Sequence, residues 1–531
     1  PGQCYEGNKC FVQTARRRAR DSELLVVNHS LLMHDLKAGH ILLGEIDHLV
    51  VDEAHRLPAV ALESHAIICG HWRLDEIAEL LGRTKSRDSQ RFDRLDLLGV
   101  RLGALDKDGQ KAASAVEDFS RIIRQVFSTY RIWWQALGDR VDEVMPVGNQ
   151  RQGRARVRDK DEAFAVMRQQ TADLLESLAE CENVFGRVKR STEVLEDLSA
   201  GLEDDLAQIA SAGVMVRQLH QDVRFLISDE DEDWVTWVEP HPDSGVRGLG
   251  ATLLEAGGIL KSYWGDSEFA PVMTSATLAV GEDFTHLMGE LGLTRRHPAT
   301  ETFTCPSPFD YHNQVRILTP RFFPAPGSPE FGPAVGEVMR ALGLKANHKT
   351  MGLYTSYKMI RESTRILEEA GLTSDEKSSC GPVILSQTSR VPAATLLERF
   401  RRHRRAMLLG TATFWEGVDF PGRDLEILVV TKLPFLVPND PWVEARCEKV
   451  SASGENPITK FMVRDAVLRL RQGFGRLIRR MGDRGVVIIL DNRLHTKNYG
   501  VTFLSALPAV PASFDDTDDM IARIDDFFSN C

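Results

Sequence analysis

The sequence predicts an α/β protein: two parallel-sheet domains, the first interrupted by a long all-helical insertion. Three observations predict it. Short apolar runs bounded by polar breakers stand at Leu24–Val27 and His48–Val51, as expected of strands buried on both faces of a parallel sheet. From Leu57 to Glu239 only two prolines occur, Pro58 and Pro146, and charged residues interleave with apolar ones at helical spacing. After residue 240 apolar runs return at Pro271–Met273, Val315–Leu318, Met351–Tyr354, Val383–Leu385, Ala406–Leu409, Leu425–Val430 and Val486–Leu490, most of them separated by helical segments.

The expected division is residues 1–57 in the first sheet domain, 58–239 in the insertion, 240–300 as the remainder of the first domain and 301–531 as the second. Within the insertion, Leu178, Cys181, Phe185, Val188, Leu195, Leu198, Leu202, Leu206 and Ile209 recur at steps of three, four or seven. This stripe predicts a pair of long packed helices and is read as core. The basic stretch 151–160 and the acidic stretch 228–233 read as solvated connectors.

The 531 residues are 43% hydrophobic and 27% charged, enough for several cores. No apolar run reaches the roughly 18 residues that a bilayer span needs, and the N-terminal residues lack the pattern of a secretory signal. The expectation is a soluble, cytoplasmic monomer. A formal charge of −11 argues against a protein that coats nucleic acid through bulk positive charge, leaving room for a local basic track such as Arg16, Arg17, Arg18 and Arg20. Eight scattered cysteines make no disulfide framework. Cys4 and Cys10 form a C-x5-C pair, outside the usual zinc spacings.

Asp52-Glu53-Ala54-His55 follows directly on the apolar run ending at Val51. Adjacent carboxylates at the C-terminal end of a parallel strand lie where such sheets bind ligands. One can hold Mg²⁺ with a nucleotide's phosphates while its neighbour polarises water; the same acids would also suit a plain helix N-terminus. Farther on, Gln472-Gly473-Phe474-Gly475-Arg476-Leu477-Ile478-Arg479 sets two arginines three apart. On a helix that spacing turns both guanidinium forks one way, as a polyphosphate would require.

With both segments in one chain, the sequence resembles the superfamily 2 iron–sulfur DNA helicases of the XPD/DinG type, especially DinG-like and YoaA-like proteins. The matching motifs run in order: VVNHSLL (26–32), VVDEAHRL (50–57, the DEAH box), TSATL (274–278), LYTSY (353–357), LLGTATFWEGVDFPG (408–422) and QGFGRLIRR (472–480), with KLPFLVPNDP (432–441) also typical.

The resemblance implies two RecA-like motor domains with an Arch-like insertion, translocating 5′ to 3′ on single-stranded or forked DNA at the expense of ATP, in repair or replication and beside proteins of those processes. It makes Asp52 the Mg²⁺ contact and Glu53 the group that orients water. Arg476 and Arg479 become arginine fingers, with His55 and Gln472 beside the nucleotide. Ser275, Thr277, Glu416, Gly417 and Asp419 would couple hydrolysis to movement, and Thr355 and Ser356 would touch DNA; Arg16 and Arg17 are expected to hold DNA phosphates from the charge pattern of their segment.

The resemblance also implies a 4Fe–4S cluster, for which Cys4 and Cys10 match two of four cysteine ligands. The phosphate loop G-x-x-x-x-G-K-[ST] does not occur; the nearest imitation, Gly257 to Ser262, lacks the Gly-Lys step and lies after the DEAH box. The expectation is therefore a helicase portion lacking that loop and inactive alone. The alternative is a DNA-binding or regulatory module that does not hydrolyse ATP.

Overall fold

The computed structural model describes residues 11–82, 92–139, 153–196, 198–228, 233–241, 245–264, 271–276, 283–294, 300–373, 381–388, 391–411, 414, 424–475, 477–478 and 480–529. They divide into two units: Pro1–Met273 with Met288–Pro298 and Pro438–Arg446, and Thr274–Leu287 with Ala299–Val437 and Cys447–Cys531.

In the first unit, β1 (Val50–Val51) pairs in parallel with β6 (Val272–Met273), in the register Val50↔Val272 and Val51↔Met273. Leu24–Val27 forms no strand: Leu24 and Val26 remain 82% and 88% exposed, so this apolar run acquires no partner among the described residues.

The insertion is helical in bulk but not throughout, which corrects the all-helical expectation. β2 (Ile67–Cys69), β3 (Ala155–Val157), β4 (Trp234–His241) and β5 (Gly245–Leu253) form an antiparallel sheet in the order β2-β5-β4-β3. The basic stretch read as a connector supplies β3. Glycines disguised β5: a Cβ at Gly250 would stand 2.6 Å from the Trp237 ring, so the close approach of β4 removes the side chain that would have announced a strand. Around this sheet lie the long helices Lys107–Asp139, Arg168–Thr192 and Ala200–Ile227. The stripe does fall on a helix pair, with Leu178, Cys181, Phe185, Val188, Leu202 and Ile209 buried alongside Tyr130, Trp133 and Trp134.

The second unit is a parallel sheet of β7 (Val315–Pro320), β8 (Thr350–Leu353), β9 (Val383–Ser386), β10 (Ala406–Gly410), β11 (Ile427–Val430), β12 (Gly485–Ile489) and β13 (Ala512–Phe514), ordered β13-β7-β12-β11-β8-β10-β9. The period-2 alternation of a strand sends Leu408 towards the helices Ala393–Arg402 and Val463–Phe474, and Met407 and Leu409 towards Phe331–Lys345 and Thr517–Ser529. Both faces are thereby covered, which is why the strands are apolar without a break.

One turn of π-helix, Ile458–Met462, leads into the helix Val463–Phe474. That helix ends at Phe474 with Gly475 as its cap, the Gly475 amide donating to Arg471 O at 3.2 Å. Leu477 and Ile478 are not helical. The helix thus stops before the segment in which helical spacing was expected to align Arg476 with Arg479, residues that lie outside those described. Among the described residues no helix is long and apolar enough to cross a membrane.

Candidate nucleotide and nucleic-acid sites

In the first unit the acidic pair stands where β1 stops. Val51 is buried and Asp52, the next residue, is exposed. Glu53 then turns the chain with φ 51° and ψ 42°, a left-handed conformation that a residue with a Cβ rarely adopts. A 3₁₀ turn, Ala54–Arg56, closes with the Arg56 amide on Glu53 O at 2.9 Å, and the helix Leu57–His65 follows with Pro58 in its first turn. His55 Nδ1 lies 3.4 Å from Glu53 Oε2, so the imidazole and the carboxylate share one corner. Backbone strain at a carboxylate beside a sheet end is the kind of local cost that functional sites retain.

A second histidine joins them. His29 Nε2 lies 2.8 Å from Asp52 O; a carbonyl only accepts, so Nε2 carries the proton. Asn28 caps the helix His29–Lys37 by accepting from the Leu31 amide at 2.8 Å. The VVNHSLL segment is thereby fastened to the Asp52–His55 segment by a hydrogen bond spanning 23 residues, a link that the sequence pattern did not disclose.

The oxygen donors of Asp52 and Glu53 suit Mg²⁺, which commonly takes one or two carboxylates and completes its shell with water and phosphate. Among the described residues no group of three or more His, Cys, Asp and Glu is arranged to hold a metal by itself. Cys4 and Cys10 lie outside the described residues. Arg16 and Arg17 are exposed on the helix Phe11–Arg20, whose Arg20 donates to Ile41 O at 3.1 Å.

In the second unit the C-terminal ends of the strands set polar groups side by side. After β8, Thr355 is exposed and Ser356 caps the helix Tyr357–Glu369, its Oγ accepting from the Met359 amide at 3.3 Å. Tyr354 is buried and its phenol is pushed well above the usual range by burial, so it serves as core. After β10, the Thr411 amide and hydroxyl both donate to Gln387 Oε1, at 2.7 and 2.9 Å, from the end of neighbouring β9.

After β11 and β12, buried Asp491 accepts from the Leu433 amide at 2.8 Å and from Arg493 Nη2 at 2.6 Å. Arg493 stands 4.8 Å over the Phe435 ring. Half-buried Lys432 is held below the ordinary lysine range by burial and by Arg493, against the pull of Asp491. In strand order the row reads Asp491, Lys432, Thr355, Thr411, Gln387. Hydroxyls, an amide and a lysine along one edge suit a phosphate backbone, which such groups hold without reading bases. Gln387, Asp491 and Arg493 were not singled out in the sequence, and Thr411 and Lys432 only as members of the 408–422 and 432–441 motifs, because partners 24 or 58 positions apart give no local signal.

Gln472 is half-buried on the last turn of Val463–Phe474, and Ser275 is half-buried two residues beyond β6. Thr277, Glu416, Gly417, Asp419, Arg476 and Arg479 lie outside the described residues.

Residues 340–510 match a family described as the helicase C-terminal domain. The chain is 27% identical over 526 residues to the "3'-5' exonuclease DinG" of Bacillus subtilis, covering 95% of this chain and 53% of that protein. It is 29% identical over 522 residues to "ATP-dependent DNA helicase YoaA" of Escherichia coli, covering 96% and 71%. Against "ATP-dependent helicase DinG" of Mycobacterium tuberculosis the figures are 28% over 514 residues, 95% and 67%. It therefore spans about half the length of the first of these relatives. A solved structure titled "XPD_Helicase" aligns with a TM-score of 0.49 at 13% identity, over 90% of this chain and 71% of that one. Over some 95% of its residues the chain is therefore similar to proteins named as DinG- and YoaA-type helicases.

Proposed function

We propose that this chain carries the catalytic acids and the second motor domain of an ATP-dependent DNA helicase of the XPD/DinG type, moving 5′ to 3′ along single-stranded DNA. The observation that carries the reading is the acidic corner: Asp52 and Glu53 at the end of a parallel strand, with Glu53 held in a strained left-handed turn.

Mg²⁺ held at this corner would supply positive charge against that of a nucleotide's phosphates. Asp52 would hold that ion, and Glu53, steadied by His55, would orient the attacking water. Arg476 and Arg479 would stabilise charge on the transferring phosphoryl group, Gln472 would contact the nucleotide, and Ser275, Thr277, Glu416, Gly417 and Asp419 would couple hydrolysis to motion. Thr355 and Ser356 would hold the strand's phosphates together with Lys432. Cys4 and Cys10 would supply two thiolates to a 4Fe–4S cluster, the usual ligand type for such a group.

The test uses the protein in its natural full length. Single-stranded DNA should stimulate ATP hydrolysis, Asp52→Asn should abolish it, and forks with a 5′ tail should be unwound in preference to those with a 3′ tail. DNA binding without any hydrolysis would overturn the reading in favour of a regulatory or DNA-binding module.

A further inference from the structure

Residues 399–405 read Arg-Phe-Arg-Arg-His-Arg-Arg, five arginines and a histidine in seven positions of a chain with net charge −11. The helix Ala393–Arg402 connects β9 to its parallel neighbour β10, so it runs back against the strands and ends at their N-terminal edge. This is the edge opposite Thr355 and Ser356, about 17 Å away along a five-residue strand. We propose that this arginine run is a second nucleic-acid contact, gripping the phosphodiester backbone of a segment other than the one held at the C-terminal edge.

The run is anchored through its main chain and through Arg405, while three of its arginines are exposed. Phe400 is fully buried. Lys349, 5% exposed and immediately before β8, donates to Arg401 O at 2.9 Å, and Arg405 Nη2 donates to Ala346 O at 3.4 Å. Arg401, Arg402 and Arg404 are exposed. The acid of this helix, Glu398, meets Arg402 at 3.0 Å in an exposed pair, a contact that yields readily to a competing anion.

A helix C-terminus favours cations through its dipole, but that effect is spent within the last turn and does not account for Arg404 and Arg405 beyond it. The cations are all arginine rather than lysine, and the planar fork matches phosphate oxygens two at a time.

The inference rests on the reading that the protein works on nucleic acid. The test compares the full-length protein with R401Q/R402Q/R404Q, whose changes touch only exposed side chains, and with the corresponding triple lysine variant. Binding is measured from 50 to 200 mM salt on a fork, a blunt duplex and a single strand, with ATP hydrolysis at saturating single strand in parallel. For three duplex contacts, the glutamine variant should lose about 2.7 from the salt slope, so that its deficit shrinks about 40-fold across that range. Lysine should restore most of it.

Loss on the blunt duplex would identify paired DNA as the segment gripped; loss on the single strand, at about 0.7 per contact, would identify an unpaired one. In either case hydrolysis at saturating single strand should stay at the wild-type level. Unchanged slopes on all three substrates, with hydrolysis intact, would overturn this inference alone and leave the run free for an acidic protein segment. A wild type that neither binds DNA nor is stimulated by it would overturn the helicase reading as well.

Discussion

Glu53 permits a prediction in which stability separates two variants that lose activity alike. At φ 51° and ψ 42° its backbone is left-handed, which costs a residue bearing a Cβ roughly 1–2 kcal/mol. Glycine escapes that cost but gives up about 0.5–1 kcal/mol of unfolded-state entropy relative to alanine. The contact with His55 at 3.4 Å is lost equally in Glu53→Ala and Glu53→Gly, so it cancels between them. Glycine should therefore be the more stable of the two by roughly 0.5–1 kcal/mol, the reverse of the order in an ordinary helix, where glycine is worse by about that amount.

The assay is urea unfolding of both variants of the full-length protein at one temperature, with a common m-value required before the midpoints are compared. Both variants should lose turnover by about 10²–10⁴, the usual contribution of a positioned proton acceptor. An alanine variant as stable as the glycine variant would show that the turn is not strained. Hydrolysis near wild type in either variant would show that Glu53 does not orient the water.

Other expectations follow from named groups. Arg476→Lys and Arg479→Lys in the full-length protein keep the charge but lose the fork; hydrolysis should fall roughly 10³-fold, while nucleotide-free affinity for single strands, read by fluorescence anisotropy, stays constant. Reversing Arg16 and Arg17 to glutamate should flatten the salt dependence of single-strand binding by about 0.7 per lost contact, measured across a salt titration; an unchanged slope would make them a solvated face.

Burial holds His65 and His71 below their ordinary value of 6.5, for His65 with added repulsion from Lys37 and His34 and for His71 against the pull of Asp75. The unfolded chain then binds more protons just below that value, so stability rises with pH through this window and is lost as pH falls. Urea midpoints between pH 5 and 7 should show the slope in the wild type and less of it in His65→Gln/His71→Gln.

The second unit was legible in the sequence because its strands are buried on both faces: Ala406–Gly410 and Gly485–Ile489 are buried at every position, and an unbroken apolar run needs no partner to be recognised. The sheet of the insertion was not, because β5 contributes glycines and β3 has only three residues, one of them an arginine. The acidic pair could be placed at a strand end from its neighbours alone, whereas the left-handed turn at Glu53 has no signal in a glutamate's own preferences. Gly475 caps the helix at Phe474, a stop that the reading of the segment by its arginine spacing did not anticipate. The pairings of Gln387 with Thr411 and of Asp491 with Leu433 arise only when distant strands are laid side by side.

The π-turn at Ile458–Met462 sets the angular phase of everything on the helix after it. Each residue of an α-helix advances the chain by about 100°, so one residue added within a turn rotates the far end by that much without moving its axis. Phe461 and Met462, 8% and 7% exposed, anchor the turn on the core side while Ile458 stays 49% exposed. The bearing of Gln472 is therefore written in the number of residues in this segment rather than in their identities. Substitutions there should be absorbed, but the loss of a single residue, although it would restore regular hydrogen bonding, would turn Gln472 away by more than a quarter circle. Such a stretch should vary in composition among relatives while keeping its length.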